Sequence, residues 1–412
     1  MFFLLASKSL LNRKGSVFLT IIAMSVSIFV LLGVEHIRNQ TKKNFQSTVS
    51  GVDLIVGART GSLNLLLYSV FRIGAPTNNL GWDSYESIAS DQAVKWSIPI
   101  SLGDSHKGYR VIGTTEDYFT HFSYGAQKRL QFTSGEPFSR IFDVVLGSAV
   151  AEKLQYSIGT NLVLAHGLGK TSFRLHEDKP FRVVGILAPT GTPVDQSLQV
   201  SLQGMEAIHN NQRIAQTLQE TPINSNQIEL KQFQPKTITA VMLGLTSKIA
   251  TFKIQRKINN FSTEPLTAIL PGVALSELWQ MMKVIENTLR LVSVLILMSA
   301  LLGLSAMMLA SIRERRHEIY LLRVIGAPPT FLFLLIEVEA SLISAISIGS
   351  GTLALLAGLL ITSDLLTSNY GLNINANIFV QNNLIYAFLI ILATLIAAAI
   401  PSFTAYKNAD IH

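Results

Sequence analysis

The chain has 412 residues, of which 49% are hydrophobic and only 14% charged. That is far below the roughly 25% charge of an ordinary soluble domain, so the composition argues against a freely soluble protein and for a bilayer. There is no cysteine, which excludes disulfides and thiolate metal sites. The net charge of +7 bears on nucleic-acid binding only once the basic residues have been located.

In chain order, residues 1–16 set Phe2, Phe3, Leu4, Leu5, Leu10 and Leu11 against Lys8, Arg13 and Lys14. This pattern fits an amphipathic helix on the cytoplasmic membrane face, and equally a simple extension of the helix that follows. Residues 17–34 are uncharged and long enough for a first span. The stretch exceeds a signal-peptide core and no small-residue cleavage site follows Glu35, so an uncleaved anchor is expected. Helical register continues to about residue 50, as a stalk.

Residues 51–274 form the expected extracytoplasmic domain. Val52–Gly57, Tyr109–Gly113, Val144–Gly147, Asn161–Ala165 and Phe181–Leu187 read as strands, short and bounded by turn residues. Trp82–Asp91, Ser148–Gln155 and Ser201–Leu218 read as helices. The stretch 199–236 is rich in Gln and Asn and reads as a mobile hairpin or loop. The length allows a real core, in one or two subdomains. Residues 275–312 form a second stalk and the second span, 313–330 a charged helix, 331–362 the third span, 363–383 a short outer loop, 384–404 the fourth span and 405–412 a tail.

Arginine and lysine set the orientation. Lys8, Arg13 and Lys14 precede the first span, and Arg313, Arg315, Arg316 and Arg323 lie between the second and third, whereas 363–383 contains neither residue type. Both termini are therefore expected in the cytoplasm. The positive charge serves topology, and nucleic acid is not an expected partner. The fold class is a membrane all-α protein of four transmembrane helices plus an extracytoplasmic α+β domain inserted between helices 1 and 2.

Catalytic motifs are weak. Gly167-Leu168-Gly169-Lys170-Thr171 contains the end of a phosphate-binding loop, but Leu164 stands where its first glycine is required, so the segment reads as a turn. His166 and His176 have no further ligands at metal spacing, and no nucleophile elbow places Ser, His and Asp together. The chain is expected to be non-catalytic. The segment 313–329 carries more information. Arg313, Glu314, Arg316, Glu318 and Arg323 make a highly charged helix, with Ile319, Leu322, Val324 and Ile325 as its apolar side. Gly326, Pro328 and Pro329 stop it. An orientation signal alone accounts for the arginines, not for the glutamates, the apolar side or the sharp ending. Such a helix suits docking in a partner's groove.

Arg315-Arg316-His317-Glu318-Ile319-Tyr320-Leu321-Leu322-Arg323-Val324-Ile325-Gly326-Ala327 resembles the R-R-x-E-I-x-x-L-R-x-x-G-A signature of MacB/FtsX-type ABC transporter permeases. Glu337 matches an acid that the family carries at the start of its third span, whereas Glu339 has no counterpart in the pattern. Gly349, Gly351 and Gly358 resemble the family's glycine-rich third span, and Pro401–Ala405 the end of its fourth. Ser9–Arg13 with Leu19-Thr20 is similar to its entry to span one, and Gly51–Gly57 to the start of its periplasmic core domain. The long insert resembles the MacB-like branch, here without a fused ATPase. The resemblance implies a bacterial inner-membrane permease, acting as a homodimer with a second copy and coupled through residues 313–327 to a homodimeric cytoplasmic ABC ATPase. ATP and Mg would be bound by that ATPase, not by this chain. The family implies mechanotransmission to the periplasmic domain for efflux or lipoprotein handling, with a periplasmic adaptor or a lipoprotein as a further partner and membrane lipids as surroundings. A membrane-anchored sensor whose outer domain binds a ligand is the alternative.

Overall fold

In a computed structural model, residues 2–48, 50–125, 127–166, 180–209, 233–370 and 381–409 are described. The Gly167–Thr171 turn, His176, most of the Gln/Asn-rich stretch, the end of the expected Ser201–Leu218 helix, residues 371–380 of the 363–383 loop and the last three residues of the tail lie outside them. The chain divides into a helical unit carrying both chain ends and residues 283–364, and an α/β unit over residues 41–282.

The apolar stretches and the charged segment between two of them form helices α1 (Phe2–Asn12), α2 (Lys14–Thr48), α3 (Pro271–Glu314), α4 (Arg316–Val324), α5 (Pro329–Tyr370) and α6 (Gln381–Ala409). Four of them, α2, α3, α5 and α6, are long and apolar enough to cross a membrane. Proline opens α3 and α5, where its missing N–H costs nothing. Helix α5 continues to Tyr370, past residue 362 where the third span was expected to end. α1 is a separate helix, since the chain turns at Arg13 before α2 begins.

Within a bilayer, helices gain little from apolar burial against one another, so close backbone approach and hydroxyl bonds hold them. Gly351 of α5 shows this. A Cβ there would stand 2.8 Å from the Ser25 carbonyl oxygen of α2 and 3.2 Å from Ile28. Ser25 and Ser350 hydroxyls meet at 2.6 Å beside it. Ser305 of α3 donates to the Ala397 carbonyl of α6 at 2.8 Å, and Thr394 of α6 donates to Ser344 of α5 at 3.1 Å. Met24, Ile28, Leu304, Met308, Ala340 and Ile343 are buried along these seams, while Phe18, Leu19, Leu302, Phe388 and Ile396 remain exposed, as lipid-facing residues do.

The α/β unit is built on strands β1 (Leu54–Ala58), β2 (Val94–His106), β3 (Tyr109–Thr114), β4 (Phe132–Gly135), β5 (Asp143–Leu146), β6 (Phe181–Leu187), β7 (Ser197–Ser201), β8 (Ala240–Leu245) and β9 (Leu266–Ile269). They form one sheet in the order β9-β1-β8-β2-β3-β7-β5-β6-β4. The short strands Asn161–Leu162, on β6, and Ala165–His166, on β2, join it, so the expected single strand Asn161–Ala165 is two strands with different partners. The β3–β7 and β5–β6 pairs are parallel and the other pairs along the path antiparallel.

Both faces of this sheet are covered, which is why β1 and β8 are apolar throughout rather than alternating. Leu54 and Val56 of β1, with Val241 and Leu243 of β8, join one core beneath the helix Thr251–Asn259. Ile55 and Met242 face a second core containing Tyr68, Tyr118, Phe122 and Phe138. Beyond β3 a third core gathers Val144, Phe181, Val183, Leu198 and Val200. The long strand β2 joins the two halves of the sheet. Its residues 94–100 pair with β8, and residues 101–106 pair with β3, with a register shift between Leu102 and Ser105. Helix ends belong to this unit too, because Phe45 of α2 stacks on Phe71 at 4.7 Å and meets Trp279 of α3 at 5.8 Å.

His106, at the end of β2, is buried, with Nδ1 2.7 Å from the Val163 carbonyl and Nε2 2.9 Å from the Tyr156 hydroxyl. Nδ1 therefore donates to the carbonyl, and the hydroxyl is placed to donate to Nε2 when the ring is neutral. Burial lowers its pKa from the ordinary value.

Two outcomes follow. Replacing Gly351 by Val forces α2 and α5 apart and should cost about 2 kcal/mol, read as a lower melting point of the helical signal in nanodiscs; an unchanged melting point would refute the contact. For His106, the unfolded ring titrates near its ordinary value of about 6.5 while the folded ring titrates lower, so the unfolded state binds more protons in between. Stability of the α/β unit is full above that ordinary value and falls as pH drops through it. All three tryptophans, Trp82, Trp96 and Trp279, lie in this unit, so tryptophan fluorescence melts report on it alone. The variant His106→Gln should flatten the pH dependence.

Candidate functional site

Helix α4 is set off by two distinct breaks. Arg315 before it is non-helical, at φ −98° and ψ 18°. After it, the Ala327 amide donates to the Leu322 carbonyl at 3.0 Å and the Gly326 amide to the Arg323 carbonyl at 2.9 Å. These are the two bonds of a Schellman ending, and they require the left-handed backbone that Gly326 adopts at φ +99°. Arg323 adds a bond from its guanidinium to the Ala327 carbonyl at 3.2 Å.

The apolar side expected for this segment is divided between two faces. Ile319 packs on the core of the helical unit. With Leu322 it closes over a void of about 20 Å³ bounded by Met308, Leu332 and Leu335. Val324 and Ile325 point the other way, and with Leu321 they form a stripe at helical spacing that is 66%, 82% and 47% exposed respectively. Arg313, Glu314, His317 and Glu318 surround it, exposed.

The carboxylate that organises this end of the unit is Glu339. It lies on α5 and is 1% exposed. Ser9 of α1 donates to its Oε1 at 2.5 Å, Arg315 donates to Oε1 at 3.1 Å, and Arg13 donates to Oε2 at 3.3 Å. Arg315 also donates through Nε to Glu318 in the first turn of α4, at 2.8 Å. An ionised carboxylate so deep in the fold is tolerable only with cations and donors around it. Glu337, the acid matched by sequence, lies two residues away and so on another face of α5. It faces Ser402 of α6, and its oxygens have no hydrogen-bond partner among the described residues. Sequence reading therefore selected Glu337, whereas Glu339 makes the contacts. The sequence signal applies to both acids alike: an acid within an apolar helix needs a cation, and arginines flank the neighbouring helices.

A second charge cluster lies further along α2. Glu35 is buried and pairs with Arg38 at 2.8 Å and with Arg290 of α3 at 3.4 Å, while Arg38 also reaches Glu286 at 3.7 Å. From Lys14 to Glu35 the helix rises roughly 30 Å at about 1.5 Å per residue, the thickness of a bilayer core.

Residues 17–261 match the MacB-like periplasmic core domain family, and residues 290–409 the FtsX-like permease C-terminal family. Among solved structures, the periplasmic region of MacB from Actinobacillus actinomycetemcomitans is similar at 11% identity, over 56% of this chain and 94% of that one, with a TM-score of 0.36. The extracellular domain of the noncanonic ABC-type transporter YknZ from Gram-positive bacteria is similar at 13% identity, over 53% and 98%, with a TM-score of 0.30. No curated protein matches the sequence.

Removing the Glu339 carboxylate leaves two largely buried guanidinium groups facing each other. Glu339→Ala should therefore destabilise the helical unit by about 3 kcal/mol. Helical melting in nanodiscs measures this, and a loss no greater than that of an exposed Glu318→Ala control would contradict the assignment.

Proposed function

The chain belongs to the MacB/FtsX-type family of ABC transporter permeases, and from that premise we propose that α4 is its docking helix for a cytoplasmic ATPase. The family works with such an ATPase and is generally non-catalytic itself; it places this chain in the inner membrane with a periplasmic α/β domain. The observation that carries the docking assignment is the division of α4 into two faces. Ile319 and Leu322 key the helix to α3 and α5, while Leu321, Val324 and Ile325 stay exposed among charged residues. An apolar stripe with a charged rim fits insertion into a partner's groove.

On this reading, residues 313–327 face the cytoplasm, together with both termini. A homodimer of permeases engages a homodimeric ATPase that binds ATP and Mg. Nucleotide-driven closure moves α4, and the displacement passes along α2 and α3 to the periplasmic domain, as rigid-body movement of packed helices. α2 and α3 are each one continuous helix, of 35 and 44 residues, which supports transmission of movement more than passage through a pore. The periplasmic domain then acts in efflux with an adaptor, or on a lipoprotein or another lipid-linked substrate.

Leu321→Asp and Val324→Asp should each weaken co-purification of the ATPase about tenfold, the loss of a buried apolar contact, and abolish stimulation of its ATP hydrolysis while the permease melts unchanged. Retention of both binding and stimulation would refute docking through α4.

A further inference from the structure

We propose that the N-terminal helix α1 is a second moving part of the coupling apparatus, linked to α4 through the carboxylate of Glu339. This rests on the reading of α4 as the docked helix and adds an element to it.

Two breaks interrupt the helical chain near this carboxylate. One falls at Arg13, between α1 and α2, and the other at Arg315, between α3 and α4. Each break residue is an arginine, and each places its guanidinium on Glu339, at 3.3 and 3.1 Å. A break residue absorbs the change in backbone angles when the helices on either side reorient, and its own side chain is displaced with it. Two breaks far apart in sequence therefore share one carboxylate.

The connections continue into the bodies of both short helices. On one side Arg315 holds Glu318, in the first turn of α4. On the other, Ser9 joins the last turn of α1 directly to Glu339. Glu339 itself is fixed, because its neighbours Ala340 and Ile343 are fully buried in the core of the helical unit. The carboxylate cannot be left without cations at this depth. When α4 moves and Arg315 withdraws, Arg13 and Ser9 must take over its charge, and α1 follows. α1 is able to follow because, among its described side chains, those on one side are buried and others are exposed. Ala6, Ser9 and Leu10 are buried, whereas Lys8 and Leu11 are exposed, Leu11 at 68%.

The chain has no cysteine, so introduced labels are unambiguous. The experiment places nitroxide labels on Leu11→Cys and Val324→Cys in the full-length permease in nanodiscs, without ATPase, and reads their separation and the mobility at position 11. The wild-type background should give one narrow separation. Arg315→Ala, made on the α4 side, should broaden it and raise mobility at position 11, while a control label on Phe388→Cys in α6 stays unchanged. With Glu339→Gln already present, Arg315→Ala should have no further effect at position 11. Ser9→Ala serves in place of Glu339→Gln if the latter does not fold. A position 11 label indifferent to Arg315→Ala, or one responding to both substitutions independently, would overturn the linkage. Loss of the docking assignment would show separately, in ATPase binding, with the label response intact.

Discussion

The arrangement of the helical unit depends on the cost of burying one ionised carboxylate. Glu339 lies in an apolar helix with almost no solvent contact, and its desolvation must be offset by donors within bonding distance. Those donors come from a serine near the end of α1 and from arginines at the ends of two helical segments. The carboxylate thereby fixes where α1 gives way to α2 and where α3 gives way to α4. Ridges of leucine and glycine set how closely the spans approach, but they are tolerant of sliding. The charge cluster is directional and fixes register. Glu35 with Arg38 and Arg290 provides a matching constraint roughly a bilayer core away along α2, so the first span is held near both ends by ion pairs and between them by small-residue contacts.

The α/β unit follows a different logic. Its stability comes from a sheet covered on both faces, and the alternation of β1 and β8 between two cores means that one strand supports both. Strand β2 serves a similar purpose along the other axis. By pairing first with β8 and then with β3, it makes the two halves of the sheet share one backbone.

How much of this was legible in the sequence depended on the kind of signal. Long uncharged stretches made the helices readable, because length and hydropathy suffice when the solvent is lipid. Short β-branched runs such as Phe181–Leu187 were readable too. β2 was missed, although it is the longest strand, because Pro99, Gly103 and Asp104 inside it read as breakers. Register irregularity accommodates them, which no local pattern shows. β8 and β9 were missed for a different reason: an apolar run buried on both sides lacks the alternation that marks a strand. At the candidate site the charged helix and its glycine stop were visible, since Gly326 is demanded by local backbone geometry. The choice between Glu337 and Glu339 was not visible, because it depends on which face of α5 meets α1 and α4. The same holds for the division of the apolar residues of α4 into an inward pair and an outward stripe of three.

The shared strand β2 has an evolutionary corollary. Everything in the sheet beyond it, β3 through β7, comes from one uninterrupted stretch, residues 109–201, which begins and ends on the neighbouring parallel strands β3 and β7. The strands on its other side, β1, β8 and β9, come from residues that bracket this stretch. Recombination at just two points can therefore replace one half of the sheet as a cassette while the framework that carries it is inherited intact. A lineage built this way can vary that half of the sheet without re-solving the packing of its membrane helices.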